Sequence, residues 1–157
     1  MVSQNYSACL GRLGRPHEAL VQLRGALESL LESPSPHVRA TVQGNLGTAL
    51  FDAGRGAEAQ PLLDEALVAA RHIGDLPSER QYSGLLGELL LRAGDLPSSA
   101  TLLLRALALS PPEEPAQRVS ALHRVALLRR AEGDPLLAEA AEHEAARLTG
   151  AAPLTID

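Results

Sequence analysis

The chain has 157 residues, 45% of them hydrophobic but only 2% aromatic, so its core must be built from Leu, Ala and Val, a composition that favours helices over sheet. It is long enough to bury about two-thirds of its unfolded surface as one domain. Its formal net charge of −5 argues against nucleic acid or an anionic membrane surface as the main partner. All 14 basic residues are arginine, which excludes Schiff-base catalysis and a phosphate-loop lysine. A single cysteine, Cys9, excludes an intrachain disulfide and implies no oxidising compartment. The apolar runs are too short to span a bilayer, and the N-terminus lacks the regions of a signal peptide. The expectation is a soluble, cytoplasmic protein.

In chain order, four similar blocks follow one another: YSACLGRLGRPHEALVQLRGAL, LGTALFDAGRGAEAQPLLDEAL, LGELLLRAGDLPSSATLLLRAL and VALLRRAEGDPLLAEAAEHEAA. They align on Gly14, Gly54, Gly94 and Gly133, with spacings 54−14=40, 94−54=40 and 133−94=39. Four copies in register at so constant a period are hard to obtain by chance, and repeats of this length mean a solenoid or array. Each block predicts two amphipathic helices around a tight turn, with eight helices near 2–13, 16–32, 36–53, 57–73, 78–93, 97–109, 115–132 and 135–148. The turn glycines suit a positive φ at a helix end. Pro16, Pro97 and Pro135 suit the first turn of the next helix, where no acceptor awaits an N–H. Ser33 to Pro36, Asp75 to Ser78 and Ser110 to Pro115 read as breakers between blocks. Pro61, about four residues inside the fourth helix, is expected to bend it or delay its start. The blocks give repeats of 1–34, 35–75, 76–114 and 115–148 within one domain of 1–148, and a C-terminal tail of 149–157.

These blocks resemble tetratricopeptide repeats, and the resemblance covers nearly the whole chain. The pattern's small residue in mid first helix is met by Ser7, Gly47, Gly87 and Ala126, and the preceding Leu by Leu46 and Leu86. Its small residue where the second helix crosses the first is met by Ala19, Ala59, Ser99 and Ala138, and its late Ala by Ala26, Ala66, Ala106 and Ala145. Such positions are small because helices approach closely only where one presents little side chain. The period of about 40 exceeds the usual 34 and resembles the long variant seen in Pins-type adaptors, kinesin light chains and bacterial signalling regulators, as does the join ARHIGDLPSERQYSGLLG. The resemblance implies an all-α, right-handed α-solenoid of about four helix-turn-helix repeats. Arg129 and Glu142 depart from it, standing where the family places bulky apolar groups.

No motif for catalysis survives inspection. Gly54-Arg55-Gly56-Ala57-Glu58-Ala59 mimics a dinucleotide fingerprint, but that needs a strand before it, and a helix is predicted there. Cys9 has no base in reach by any sequence pattern and reads as a buried structural thiol. His143-Glu144 lacks the second histidine of a zinc-protease helix, since position 147 is Arg147, and His17, His37, His72, His123 and His143 show no ligand spacing. Glu113 and Glu114 precede a helix whose dipole they complement, while Glu139, Glu142 and Glu144 read as a solvated face. No metal, cofactor or catalytic residue is expected.

The resemblance places partner binding on the first helices of the repeats, which line a concave groove. The corresponding positions are Asn5, Ala8 and Arg12; Thr41, Asn45, Thr48 and Asp52; Gln81, Leu85, Glu88 and Arg92; and His123, Arg124, Leu127 and Arg130. Asn5 and Asn45 match the recurrent groove asparagine of the long-repeat variant, whose amide pairs with an extended backbone through one donor and one acceptor side. Leu85 and Arg124 replace it in the later repeats, and Arg12, Arg92, Arg124 and Arg130 would favour acidic ligand groups. The lysine-dependent carboxylate clamp is absent. Three readings stay open: a module binding a protein or peptide segment, the sensor or assembly part of a bacterial transcription regulator, and a self-associating scaffold. Tyr6, Leu10 and Leu13 have no preceding helix to cover them, so a homodimer through the N-terminal end, or excision from a longer protein, is also expected. Circular dichroism should show a helix content well above the roughly one-third of an average domain; a substantial β signal would sink the reading.

Overall fold

The computed structural model describes residues 16–29 and 36–150. Seven helices run in order: α1 Pro16–Ser29, α2 Pro36–Asp52, α3 Gly56–Ile73, α4 Leu76–Ala93, α5 Leu96–Ala108, α6 Pro115–Ala131 and α7 Pro135–Thr149. The helix expected over 2–13, with Cys9, Tyr6, Leu10 and Leu13, lies outside the described residues. All regular structure among the described residues is helical. By contacts the chain divides into two compact units, 1–85 and 86–157, with the division falling within α4. In the first, α1 packs on α2 and α2 on α3; in the second, α5 packs on α6 and α6 on α7.

One turn device recurs. Gly54, Gly94 and Gly133 adopt φ of 74°, 84° and 80°, a region that side chains disfavour and glycine enters freely. The turn lets the Arg55 N–H reach the Leu50 carbonyl at 2.8 Å, the Asp95 N–H the Leu90 carbonyl at 3.0 Å and the Asp134 N–H the Arg129 carbonyl at 2.8 Å, which satisfies carbonyls the helix leaves orphaned. The aspartates then start the next helix: Asp95 accepts from the Ser98 N–H at 3.2 Å and Asp134 from the Leu137 N–H at 3.0 Å. Bonds from the Ser98 side chain and N–H hold the Asp95 carboxyl below the usual carboxylate range.

The same device corrects one expected boundary. Asp75 to Ser78 reads as a breaker, yet α4 already begins at Leu76. Gly74 takes φ of 72°, and Asp75 accepts from the Ser78 N–H at 3.2 Å. The tetrapeptide Gly-Asp-Leu-Pro stands at 74–77 and again at 94–97, so it both ends and starts a helix in each place. Pro61 does not delay α3, which begins at Gly56 and carries it as an interior residue.

The packing follows the small residues. A Cβ on Gly47 would lie 2.8 Å from Leu63 Cγ, and one on Gly87 2.7 Å from Leu103 Cγ. The Leu63 and Leu103 backbone nitrogens would lie only 3.3 and 3.2 Å away, so α2 meets α3, and α4 meets α5, nearly backbone to side chain. Ala59, Ser99 and Ala138, the small residues on the second helices, are each 0% exposed. Ser99 Oγ donates to the Gly87 carbonyl at 2.8 Å, which gives a buried hydroxyl the partner it needs. In the fourth repeat the core is finer grained: Leu122, Ala126, Ala138, Ala141 and Ala145 form one cluster. Arg129 and Glu142, the two departures from the family pattern, are held in ion pairs with Glu132 at 2.8 Å and Arg130 at 2.7 Å. Arg118 ties α6 to α7 through Glu144, at 2.7 Å, and also donates to the Ser110 carbonyl at 2.9 Å.

A second close approach escapes the repeat pattern. Tyr82 is buried, and its hydroxyl occupies the space that a Cβ on Gly44 would need. The aromatic ring thus pins α4 to α2. Burial pushes the Tyr82 phenol above its usual range; the bond with Ser78 offsets this in part, and the charge of Asp75 adds to it.

Two measurements check this packing. Replacing Gly87 with Leu should overpack the contact with Leu103 and cost about 1–3 kcal/mol in urea unfolding; an unchanged midpoint would mean the helices are not this close. The raised Tyr82 phenol sets an alkaline limit. Its stabilising neutral form is fully present below the unfolded phenol value of about 10 and is lost as pH rises through the higher folded value. The chain has no lysine to titrate in that window, so the melting temperature should fall above about pH 10 and Tyr82→Phe should flatten the fall. An identical decline in the variant would assign it elsewhere.

Candidate interaction surface

The expected site residues fall on one stripe of each first helix. On α2, Thr41, Asn45, Thr48 and Asp52 recur at helical spacing; Gln81, Leu85, Glu88 and Arg92 do so on α4, and His123, Arg124, Leu127 and Arg130 on α6. The stripe is not evenly exposed. Asn45 and Arg124 are half-buried and Leu85 is buried, so this register position lies toward the packed edge of each helix. Leu85 is a core residue of α4, which corrects its expected place on the binding face: an apolar side chain there is drawn inward where an amide can stay at the boundary.

Within the first unit, the hydroxyl of Thr48 is fully engaged. It donates to the Gly44 carbonyl at 2.8 Å and accepts from Gln81 Nε2 at 3.2 Å. Thr41 is half-buried and lines a shallow cleft with Ala69, Asp75, Ser78 and Tyr82. Asn45 makes no side-chain hydrogen bond to another described residue, so its amide is open to a ligand. Gln43, one stripe over, donates to Glu65 at 2.5 Å. In the second unit, Glu88 lies between two guanidinium groups, Arg92 at 2.5 Å and Arg124 at 2.9 Å. Arg124 also donates to Ser120 Oγ at 2.8 Å, and Arg130 pairs with Glu142 at 2.7 Å. The arginines expected to present charge to an acidic ligand are thus largely engaged by the protein's own carboxylates. His123 is exposed on the same face. Asn5 and Arg12 lie outside the described residues.

The pairing of Glu88 with Arg124 and of Thr48 with Gln81 joins residues 36 and 33 positions apart. The repeat period is the signal that could have found them, since both steps are slightly less than one period. Among the described residues no group of three or more His, Cys, Asp or Glu could hold a metal ion, and no helix is long and apolar enough to cross a membrane. Glu144 is bound to Arg118 while His143 is exposed. Glu114 takes the N-cap position of α6 without a side-chain capping bond. Gly54-Arg55-Gly56 joins two helices, so no strand aims its amides at a pyrophosphate.

Comparison with known proteins places this arrangement. Residues 38–111, just under half of the chain, match the Tetratricopeptide repeat family. The fold is similar to the crystal structure of nearly identical TPR-like repeats of a candidate kinesin light chain from Podosopora anserina, at 18% identity and a TM-score of 0.76, covering 99% of this chain and 76% of that one. A point variant of those repeats gives the same TM-score and identity, covering 95% of this chain and 74% of that one. Among curated proteins none matches. Tetratricopeptide repeats are generally protein-interaction modules and typically non-enzymatic scaffolds. The period near 40, the glycine-ended first helices and the small residues at the helix crossings agree with that match over residues 38–111 and with a fold similar to those repeats.

Proposed function

We propose that the first-helix faces of the repeats bind an extended segment of a protein or peptide partner, without catalysis, in a cytoplasmic setting. The observation that carries this reading is Asn45, held half-buried at the edge of the α2 stripe with its amide unengaged by any described residue. An amide so placed offers a donor and an acceptor to a passing backbone and reads no sequence. Asn5, one period earlier at 45−5=40, extends the same contact in the first repeat. Thr41, Thr48 and Gln81 flank Asn45 on the first unit's face, and Glu88, Arg92, His123 and Arg124 form the polar face of the second. The charge balance gives neither nucleic acid nor a membrane surface a role in this reading. Self-association through the N-terminal end rests on the sequence of residues 1–15 alone.

The test begins with a pull-down from the native organism to obtain the partner, followed by calorimetric titration of the purified pair. Asn5→Ala with Asn45→Ala should weaken binding by about 1–3 kcal/mol in total, since two backbone-directed bonds are lost, at an unchanged melting temperature. Undiminished affinity would move the site off these helix faces.

A further inference from the structure

Among the stripe residues of the second unit, Glu88 is the one carboxylate, and it is held from both sides. Its Oε1 accepts from Arg92 Nη2 at 2.5 Å and its Oε2 from Arg124 Nε at 2.9 Å. Both oxygens are thus committed, and the side chain is only 17% exposed. Arg124, 26% exposed, is braced further by donating to Ser120 Oγ at 2.8 Å. A guanidinium held this way turns to a visiting anion only by giving up charge-assisted bonds it already has.

The repeat shows the arrangement to be local. Thr48 and Leu127 stand in the register of Glu88, at 88−48=40 and 127−88=39. Asn45 and Leu85 stand in the register of Arg124, at 85−45=40 and 124−85=39. Neither charge of the pair has a charged counterpart there, so the carboxylate occurs where the guanidinium occurs. An arginine that has such a neighbour presents its charge already neutralised.

We infer that Glu88 is a specificity-determining residue. It occupies the place between Arg92 and Arg124 that an acidic side chain of a partner would take, and so turns acidic segments away from this part of the surface. The inference rests on the reading of these helix faces as the partner-binding surface, and adds the class of segment that they refuse. An incoming carboxylate meets like charge at Glu88 and finds guanidinium donors engaged, whereas a neutral segment disturbs neither. Removing the Glu88 charge opens the space between two guanidinium groups to an acidic side chain, for which their fork geometry is suited.

The test uses two peptides, acetyl-tetraglutamate amide and its neutral analogue acetyl-tetraglutamine amide. Each is titrated into the isotope-labelled chain at neutral pH and low ionic strength, with affinity read from the amide resonances of α6. The parent should bind tetraglutamate no more tightly than tetraglutamine. Glu88→Gln should bind tetraglutamate about fivefold more tightly than the parent does, and adding Arg124→Gln should remove that gain. Glu139→Gln makes the same change of charge at an exposed site on α7 and should stay at the parent's affinity. A Glu88→Gln chain with intact helical dichroism and the parent's affinity would overturn the inference, as would an equal gain in Glu139→Gln or a gain that survives Arg124→Gln. Should Glu88→Gln fail to fold, Glu88→Thr takes its place, since threonine already stands at this register as Thr48. A parent chain that prefers tetraglutamate overturns the inference without any variant. Asn45→Ala against the partner tests the reading of the face, while these peptides test Glu88, so the two can fail separately.

Discussion

The crossing of helices over a glycine is the constraint on which the described structure depends. At Gly47 and Gly87 there is no room for a methyl group, because Leu63 and Leu103 lie where a Cβ would point. A core with so few aromatic rings gains its apolar burial from many small contacts, and these form only when helices lie close. The rest follows from that approach. Ala59, Ser99 and Ala138 must be small to let the second helix sit down, and Ser99 satisfies its buried hydroxyl on the Gly87 carbonyl. The turns must be tight, and a positive-φ glycine followed by a capping aspartate reverses the chain with its backbone groups satisfied.

Much of this fold is legible in the sequence because the repeat reports it several times over. A period of 40 places Gly54 and Gly94 at turns and Gly47 and Gly87 at crossings, and a misreading of one copy is checked by the others. The start of α4 is the instructive failure. Pro77 and Asp75 look like a break when taken alone, yet the identical Gly-Asp-Leu-Pro at 94–97 opens α5. Punctuation residues end one helix and begin the next with the same atoms, so composition alone cannot separate a loop from a cap.

The candidate site was less legible, for a physical reason. Helical spacing assigns residues to a face, but it does not fix how far each is sunk into the packing. Leu85 and Asn45 share a register, and one is buried while the other stands at the boundary. Nor does spacing show which charges neutralise one another across neighbouring helices. Glu88 reaches Arg124 only because α4 and α6 bring residues 36 apart into contact. Tyr82 against Gly44 is similar: a tyrosine in an aliphatic core needs a gap beside it, and the glycine that supplies it is not a position of the family pattern.

These pairings bear on what kind of partner such a surface can hold. Glu88 with Arg92 and Arg124 amounts to one carboxylate between two guanidinium groups, and Arg130 is paired with Glu142. An acidic ligand group must compete with Glu88 for arginines that already have a partner, so its gain is the difference between two similar ion pairs and is small at exposed sites. Asn45 has no such competitor among the described residues. Its amide loses only water when a peptide backbone arrives, and it regains a donor and an acceptor. In the proposed reading, selectivity for charge would be muted by the protein's own carboxylates, while recognition of a backbone by Asn45 would not. A partner held as proposed would be chosen by its extended conformation more than by the number of its acidic residues.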